Sequence, residues 1–255
     1  MVKIAVFSKI VTTFFFLLVL GAQAASASSE RVVYALFSRG WPPFEMTMDG
    51  EPGGIVLDVL ARVLPRDLDL EVRTAPAPRV FLKKTGGVTY ARAEAKEWMS
   101  GNYDNLLWSI PILEVNDVVF SRASDPVEFD TLSSLAGKRV GCITNYVYPK
   151  LQSLFDSGLS QRYDVNSEQL LFRMLHAGRI DVAVMDQALG KWIMRTEAEF
   201  GVADYFISST PVNSVGLRFV FTASPGMKER MPQINERIRR LRESGEMERI
   251  VSYYE

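Results

Sequence analysis

Cysteine is almost absent from this chain. Of 255 residues one is cysteine, Cys142, which excludes an intrachain disulfide and a cysteine-built metal site. Histidine is as scarce, with His176 alone. One cysteine and one histidine far apart in sequence offer neither zinc-ligand spacing nor a Cys–His nucleophile pair. Cys142 stands between Gly141 and Ile143 in an apolar stretch, the setting of a small core residue. His176 closes a helical pattern and reads as solvated. An excess of one charge sign is missing as well. The 29 basic and 30 acidic residues leave no net positive charge, which argues against a nucleic-acid or anionic-membrane partner. Internal repeats, low-complexity tracts, paired-carboxylate motifs and Ser–His pairs are lacking too, so neither an enzyme nor a cofactor is expected.

Long apolar runs are lacking except at the start. Lys3 and Lys9 precede Ile10 to Leu20, and Gly21-Ala22-Gln23-Ala24-Ala25-Ser26-Ala27 follows. This is the layout of a secretory signal peptide over residues 1–27, cleaved after Ala24 or Ala27. The run falls short of the roughly 20 residues of a membrane span, and no cysteine near the cleavage site supports a lipid anchor. An exported, periplasmic protein is expected. Without Lys3 and Lys9 the balance is 27 basic to 30 acidic residues, a net charge near −3. The mature chain suffices for one large domain or two small lobes.

The most informative stretch is Gly178 to Trp192. Ile180, Val182, Ala183, Val184 and Met185 are apolar on both parities, as in a strand buried on both faces of a parallel sheet. Leu170, Leu171, Met174 and Leu175 place a helix before it, ended by Gly178. A second helix begins at Gln187. Asp186 thus stands at a strand's carboxyl end, where open α/β sheets bind ligands. It is equally placed to cap the following helix, and both readings stand.

In chain order, Arg31 to Leu36 reads as a strand, followed by the Gly40-Trp41-Pro42-Pro43-Phe44 loop, whose prolines exclude helix. Ile55 to Leu64 has helical spacing and Leu70 to Thr74 alternates, a β-α-β unit with a right-handed crossover. Arg79 to Lys84 suggests a turn of helix and Ala91 to Met99 a second helix. Asn105 to Ile110 and Val118 to Ser121 read as strands, with a crossing between lobes at Arg122 to Glu128. A second α/β unit runs from Leu135: strand Arg139 to Ile143, helix Tyr148 to Phe155, strand Tyr163 to Val165. Tyr205 to Ile207 is its last strand. Pro211 to Ser214 is the return crossing and Leu217 to Phe221 a strand of the first lobe. Helices to Gly245 and around Ile250 end the chain.

This order of motifs resembles the family 3 periplasmic solute-binding proteins. Gly40 to Phe44 is similar to that family's aromatic-x-Pro-Phe loop, Gly54 to Asp58 to its helix start, and Gly101-Asn102-Tyr103-Asp104 to Ser121 to its G-x-x-D strand and Phe-Ser crossing. Leu135 to Gly141 resembles L-x-G-K-x-V-G, Gly178 to Asp186 resembles G-x-x-D-x-x-x-x-D, and Asn235 to Gly245 its closing helix. The resemblance implies an α/β, two-lobed clamshell of type II, each lobe an open, mostly parallel sheet flanked by helices. Residues 28–123 and 213–255 would form lobe 1 and 124–212 lobe 2. It implies a monomer that captures a small polar solute between the lobes and delivers it to an inner-membrane ABC-type transporter. The alternatives are docking on a membrane signalling protein or, further off, a cleft enzyme of the cyclohexadienyl dehydratase type.

By position, Trp41 would form an aromatic wall on the ligand, with Phe44 supporting the loop or touching the solute. Ser109 would donate a hydrogen bond to it, Trp108 would face cleft or core, and Asp186 would accept from an ammonium. The family's carboxylate-gripping arginine falls at Glu114, which cannot bind a carboxylate, so Arg79 is the candidate substitute. Asn145 and Tyr146 replace the small residues expected at the second lobe's helix start. Both departures favour a polar or cationic ligand over an ordinary α-amino acid.

Overall fold

The computed structural model describes residues 30–84, 86–99 and 105–254. The proposed signal peptide and the Gly101–Asp104 turn lie outside the described residues. In chain order the strands and helices begin with β1 (Glu30–Phe37), β2 (Met46–Met48), β3 (Glu51–Gly53) and α1 (Ile55–Val63). Next come β4 (Leu68–Ala75), β5 (Thr89–Glu94) and the long β6 (Leu106–Arg122). Then follow β7 (Arg139–Ile143), α2 (Pro149–Asp156), β8 (Gln161–Val165), α3 (Glu168–His176), β9 (Val182–Asp186) and α4 (Gln187–Thr196). The chain closes with β10 (Tyr205–Ile207), β11 (Asn213–Thr222), α5 (Pro225–Glu243) and α6 (Glu246–Tyr254).

β2 and β3 pair as a small hairpin, and all other strands join one curled mixed sheet in the order β4-β1-β5-β11-β6-β9-β7-β8, with β10 also on β6. Read inward from its two ends, the sheet is two copies of one plan. In the first half, β4-β1-β5 run parallel and β11 and β6 follow antiparallel to their neighbours. In the second, β8-β7-β9 run parallel, and β6 and β10 follow in the same way. Each half thus orders its own strands second, first, third, visitor, fourth. β6 is the fourth strand of one half and the visitor in the other, so it ties the halves together.

The crossing lies earlier than the sequence suggests. β6 pairs with β11 from Leu106 to Asp117 and with β9 from Asp117 to Ser121. Val118 and Phe120 pack in one second-half core with Phe172, Ile180 and Met185, and Val119 in the other with Leu151 and Val184. The halves therefore meet at Asp117, inside a continuous strand, not at Arg122 to Glu128. The expected two strands merge because Pro111 does not break β6: the register with β11 slips around Arg218, its partner, and a bulge tolerates a missing donor. The expected helix over Ala91 to Met99 is a strand followed by a short 3-10 turn at Lys96–Trp98. Ala91, Ala93 and Ala95 face the first core, while Tyr90, Arg92 and Glu94 face the other way. That is period two, and the good helix propensity of alanine hides it.

The first core lies between the sheet and α1, α5 and α6, where Val56, Leu60, Phe219, Phe221, Ile234 and Ile238 are fully buried or nearly so. Each such side chain contributes roughly 1.5–3 kcal/mol through lost water contact. Cys142 is fully buried in the second half, and burial pushes its thiol up to about 12. His176 is exposed at the end of α3.

Candidate ligand cleft

In each half the first and third strands share only a short stretch. β1 pairs with β5 from Val32 to Tyr34, and β7 with β9 at Val140 and Gly141. Beyond these residues the strands splay toward their carboxyl ends. These are the topological switch points, where strand order reverses and open sheets accept ligands. A tyrosine hydroxyl fills each opening. Ala93 N–H donates to Tyr34 Oη over 3.1 Å in the first half. In the second, Ile143 N–H donates to Tyr148 Oη over 3.2 Å, and that hydroxyl donates to the Val184 carbonyl over 3.3 Å.

The first edge carries a buried charge network. A tight turn, with Trp41 N–H on the Glu45 carbonyl at 2.6 Å, swings Glu45 back onto β1. Its carboxylate accepts from Phe37 N–H at 3.2 Å and from the Tyr34 hydroxyl, and stands 3.7 Å from Arg92 Nη2. Arg92 donates to the Ala35 carbonyl and, through Nε, to Glu94 over 2.8 Å. Arg79 closes the chain with a fork on Glu94, Nε at 3.0 Å and Nη2 at 2.6 Å. Burial and the Glu45 charge push the Tyr34 phenol well above its usual range. Trp41 packs tilted on Phe44 with ring centroids 4.2 Å apart and meets Trp98 edge-on at 5.6 Å.

The second edge is acidic. Asp117 and Asp186 are direct neighbours across β6 and β9. Asp186 Oδ1 accepts from Leu189 N–H over 2.7 Å, the N-cap of α4. Burial, with smaller contributions from the Asp117 and Glu168 charges, pushes its carboxyl up to about 7 against the pull of the helix N–H groups. Burial likewise raises Asp117 and Glu168. Asn145, left-handed at φ 67, turns the chain so that Tyr146 stands at the rim. Its hydroxyl lies within electrostatic reach of Glu168, Asp117, Arg79 and Asp186.

The structure thus brings Trp41, Phe44, Arg79, Asn145, Tyr146 and Asp186 to the two facing edges. Trp41 packs on cores of both halves. Ser109 lies elsewhere, and Trp108 takes the core of its two expected places. Ser109 is 2% exposed, donating to the Ile110 carbonyl at 2.6 Å and accepting from Phe219 N–H at 3.0 Å across the bulge, so its hydroxyl serves the sheet. Trp108 is level with Val220 in mid-sheet and packs with Leu82, Leu106 and Val220. Glu114, exposed on β6 opposite Gly216, is not where an edge residue would sit; the third strand is β5. Glu45, Arg92, Glu94, Trp98, Asp117 and Glu168 carry no motif that marks them as edge residues in the sequence. Only the Tyr90-Arg92-Glu94 alternation there offered a signal. A cavity of about 350 Å3, lined by Arg122, Ser124, His176, Asp204 and Tyr205 among others, lies away from both edges.

No protein-family model and no curated protein matches the chain. Solved structures do. The second substrate-binding domain of GlnP from Lactococcus lactis, in open conformation, aligns with a TM-score of 0.67 at 15% identity, over 89% of this chain and 96% of that one. An arginine transport periplasmic binding protein from Legionella pneumophila aligns with a TM-score of 0.63 at 18% identity, over 89% and 100%. A histidine kinase sensor domain with similarity to periplasmic binding proteins gives 0.63 at 18%, over 88% and 95%. At these identities the likeness is one of fold, and it agrees with the α/β clamshell read from the motifs.

Proposed function

We propose that the chain is a periplasmic solute-binding receptor, exported by the segment ahead of residue 28. It captures a small polar solute between its two carboxyl edges, makes and breaks no bond, and hands the solute to an inner-membrane transporter. One observation carries the reading. The two halves repeat a single strand order, and the Trp41 ring after the first strand packs on the cores of both. A solute bound there touches both halves, so binding energy is available to drive closure about the β6 and β11 connections. An aromatic face such as Trp41 adds buried area at little entropic cost. Among the described residues no helix is long and apolar enough to cross a membrane.

A second reading, docking on a membrane signalling protein, is favoured by the likeness to a sensor domain. A thermal-shift screen of the purified protein against amines, amino acids, sugars and organic acids tests the common part. A ligand that binds only the folded state raises Tm through RT ln(1 + [L]/Kd). One responding class is expected, and loss of that response in Trp41→Ala. A panel without any response counts against solute capture. Uptake of the responding solute by a deletion strain separates the roles: lost uptake supports transport, and intact uptake supports sensing.

A further inference from the structure

Gripping a carboxylate takes an arginine fork or a row of backbone N–H donors. Several such groups at the cleft edges are already engaged within the chain. The Arg79 fork holds Glu94. Arg92 holds Glu94 and faces Glu45. Phe37 N–H donates to Glu45, and the amino end of α4 to Asp186. The first N–H groups of α1, those of Ile55 and Val56, go to the Pro43 and Phe44 carbonyls at 3.0 Å. Of the other cations on the first half, Arg218 donates to the Ser109 carbonyl at 3.1 Å and Lys96 lies over the Trp108 ring.

The balance on the opposite edge is reversed. Asp117 takes a hydrogen bond from the Asn213 side chain and Asp186 from helix N–H groups. Among the described residues neither of these, nor Glu168, stands in an ion pair with a cation. Trp41 packs on the cores of both halves with Trp98 edge-on to it, while Phe44 is buried in the first core, and aromatic faces attract cations. A ligand carboxylate would compete with Glu94 or Glu45 for a fork and meet three more carboxyls across the cleft. A ligand cation meets carboxyls and ring faces.

We propose that the cleft selects a solute with a positive group and no free carboxylate, and that Glu94, by holding the Arg79 fork, sets this preference. The inference rests on the solute-binding reading above and specifies its ligand class. Arg79 side-chain surface is 52% exposed whereas that of Glu94 is 1%, so the fork reaches the rim while its partner is fixed beneath it.

Calorimetry on matched pairs tests it: agmatine against L-arginine, putrescine against L-ornithine, 2-phenylethylamine against L-phenylalanine. In at least one pair the amine is expected to bind roughly tenfold or more tighter than its amino acid, the scale of one charge-assisted hydrogen bond. Glu94→Gln keeps the side-chain shape and loosens the fork, so the amino acid should gain and the preference shrink. Adding Arg79→Gln to that variant should remove the gain. If Glu94→Gln does not fold, Arg79→Gln alone serves: unchanged affinities for both members support the proposal, and a selective loss for the amino acid overturns it.

Amino acids binding as tightly as the amines, or a folded Glu94→Gln protein with an unchanged ratio, overturn the proposal. Binding of a sugar or organic acid with no response to any pair overturns it too, yet leaves solute capture standing. Absence of binding by every class defeats both.

Discussion

Asp186 combines a structural load, the cap of α4, with a strongly shifted titration. It is 8% exposed, caps α4, and sits beside Asp117. Burial first, then the neighbouring acids, raise it from 3.8 to about 7. The folded state therefore holds a proton that the unfolded chain gives up near pH 4. The resulting stability is present in full below that pH and is lost as pH rises through about 7. Asp186→Asn keeps an oxygen for the Leu189 N–H and abolishes the titration. Between pH 4 and 7 the native protein should lose up to roughly 4 kcal/mol relative to this variant. Denaturant midpoints at several pH values measure the difference, and parallel pH profiles would refute the assignment. Ser109, on the first-half stretch of β6, is the converse case. A polar residue beside an expected edge is fully used by a bulge.

The elements owe their positions to tight contacts that only particular residues allow. α4 lies against β6 so closely that a Cβ at Gly190 would come within 2.3 Å of the Phe120 ring. Phe120 is fully buried and packed edge-on against Phe172 at 5.5 Å, so it has little room to move. Gly190→Ala gains helix propensity but overpacks this contact, which costs about 1–3 kcal/mol. A fall in Tm of about 2–10 °C is expected by calorimetry, and an unchanged or higher Tm would show that α4 can slide. Gly54 is fixed for a second reason. At φ 110 its Cβ would meet the Phe44 carbonyl oxygen at 2.5 Å, so this glycine lets the aromatic loop close over the start of α1.

At the scale of the molecule, α4 belongs to one half and touches the other. Leu189, Ile193 and Met194 sit in the second-half core, while Ala188 and Trp192 pack on the first. Arg195 Nη2 donates to the Tyr254 carbonyl at 3.3 Å, and the Tyr254 hydroxyl donates to Asp58 at 3.0 Å. These contacts hold the halves together on the α4 side, in addition to the β6 and β11 connections. Combined Trp192→Ala and Arg195→Ala substitutions should shift the empty protein toward open forms, read as a larger radius of gyration in solution scattering. They should also weaken solute binding, since part of the binding energy must then bring the halves together. An unchanged radius and affinity would show that α4 has no part in closure.

The order of helices and strands in the second half, the burial of Cys142, the exposure of His176, and the candidacy of Trp41 and Asp186 are legible in local sequence alone. Hydrophobic period, caps and turn residues are local, and each of these readings depends on neighbours a few positions away. The doubled strand plan, the crossing at Asp117, and the Glu45–Arg92–Glu94–Arg79 network were decided only by the tertiary structure. Strand pairing brings together residues far apart in the chain. A buried acid and its arginine leave no periodic trace when 15 residues separate them, as they do Arg79 and Glu94. Ser109 departs from its expected place, and Trp108 takes the core of its two expected places, for the same reason: a register slip against β11, a long-range event, sets which side chains reach the edge and which stay in the sheet.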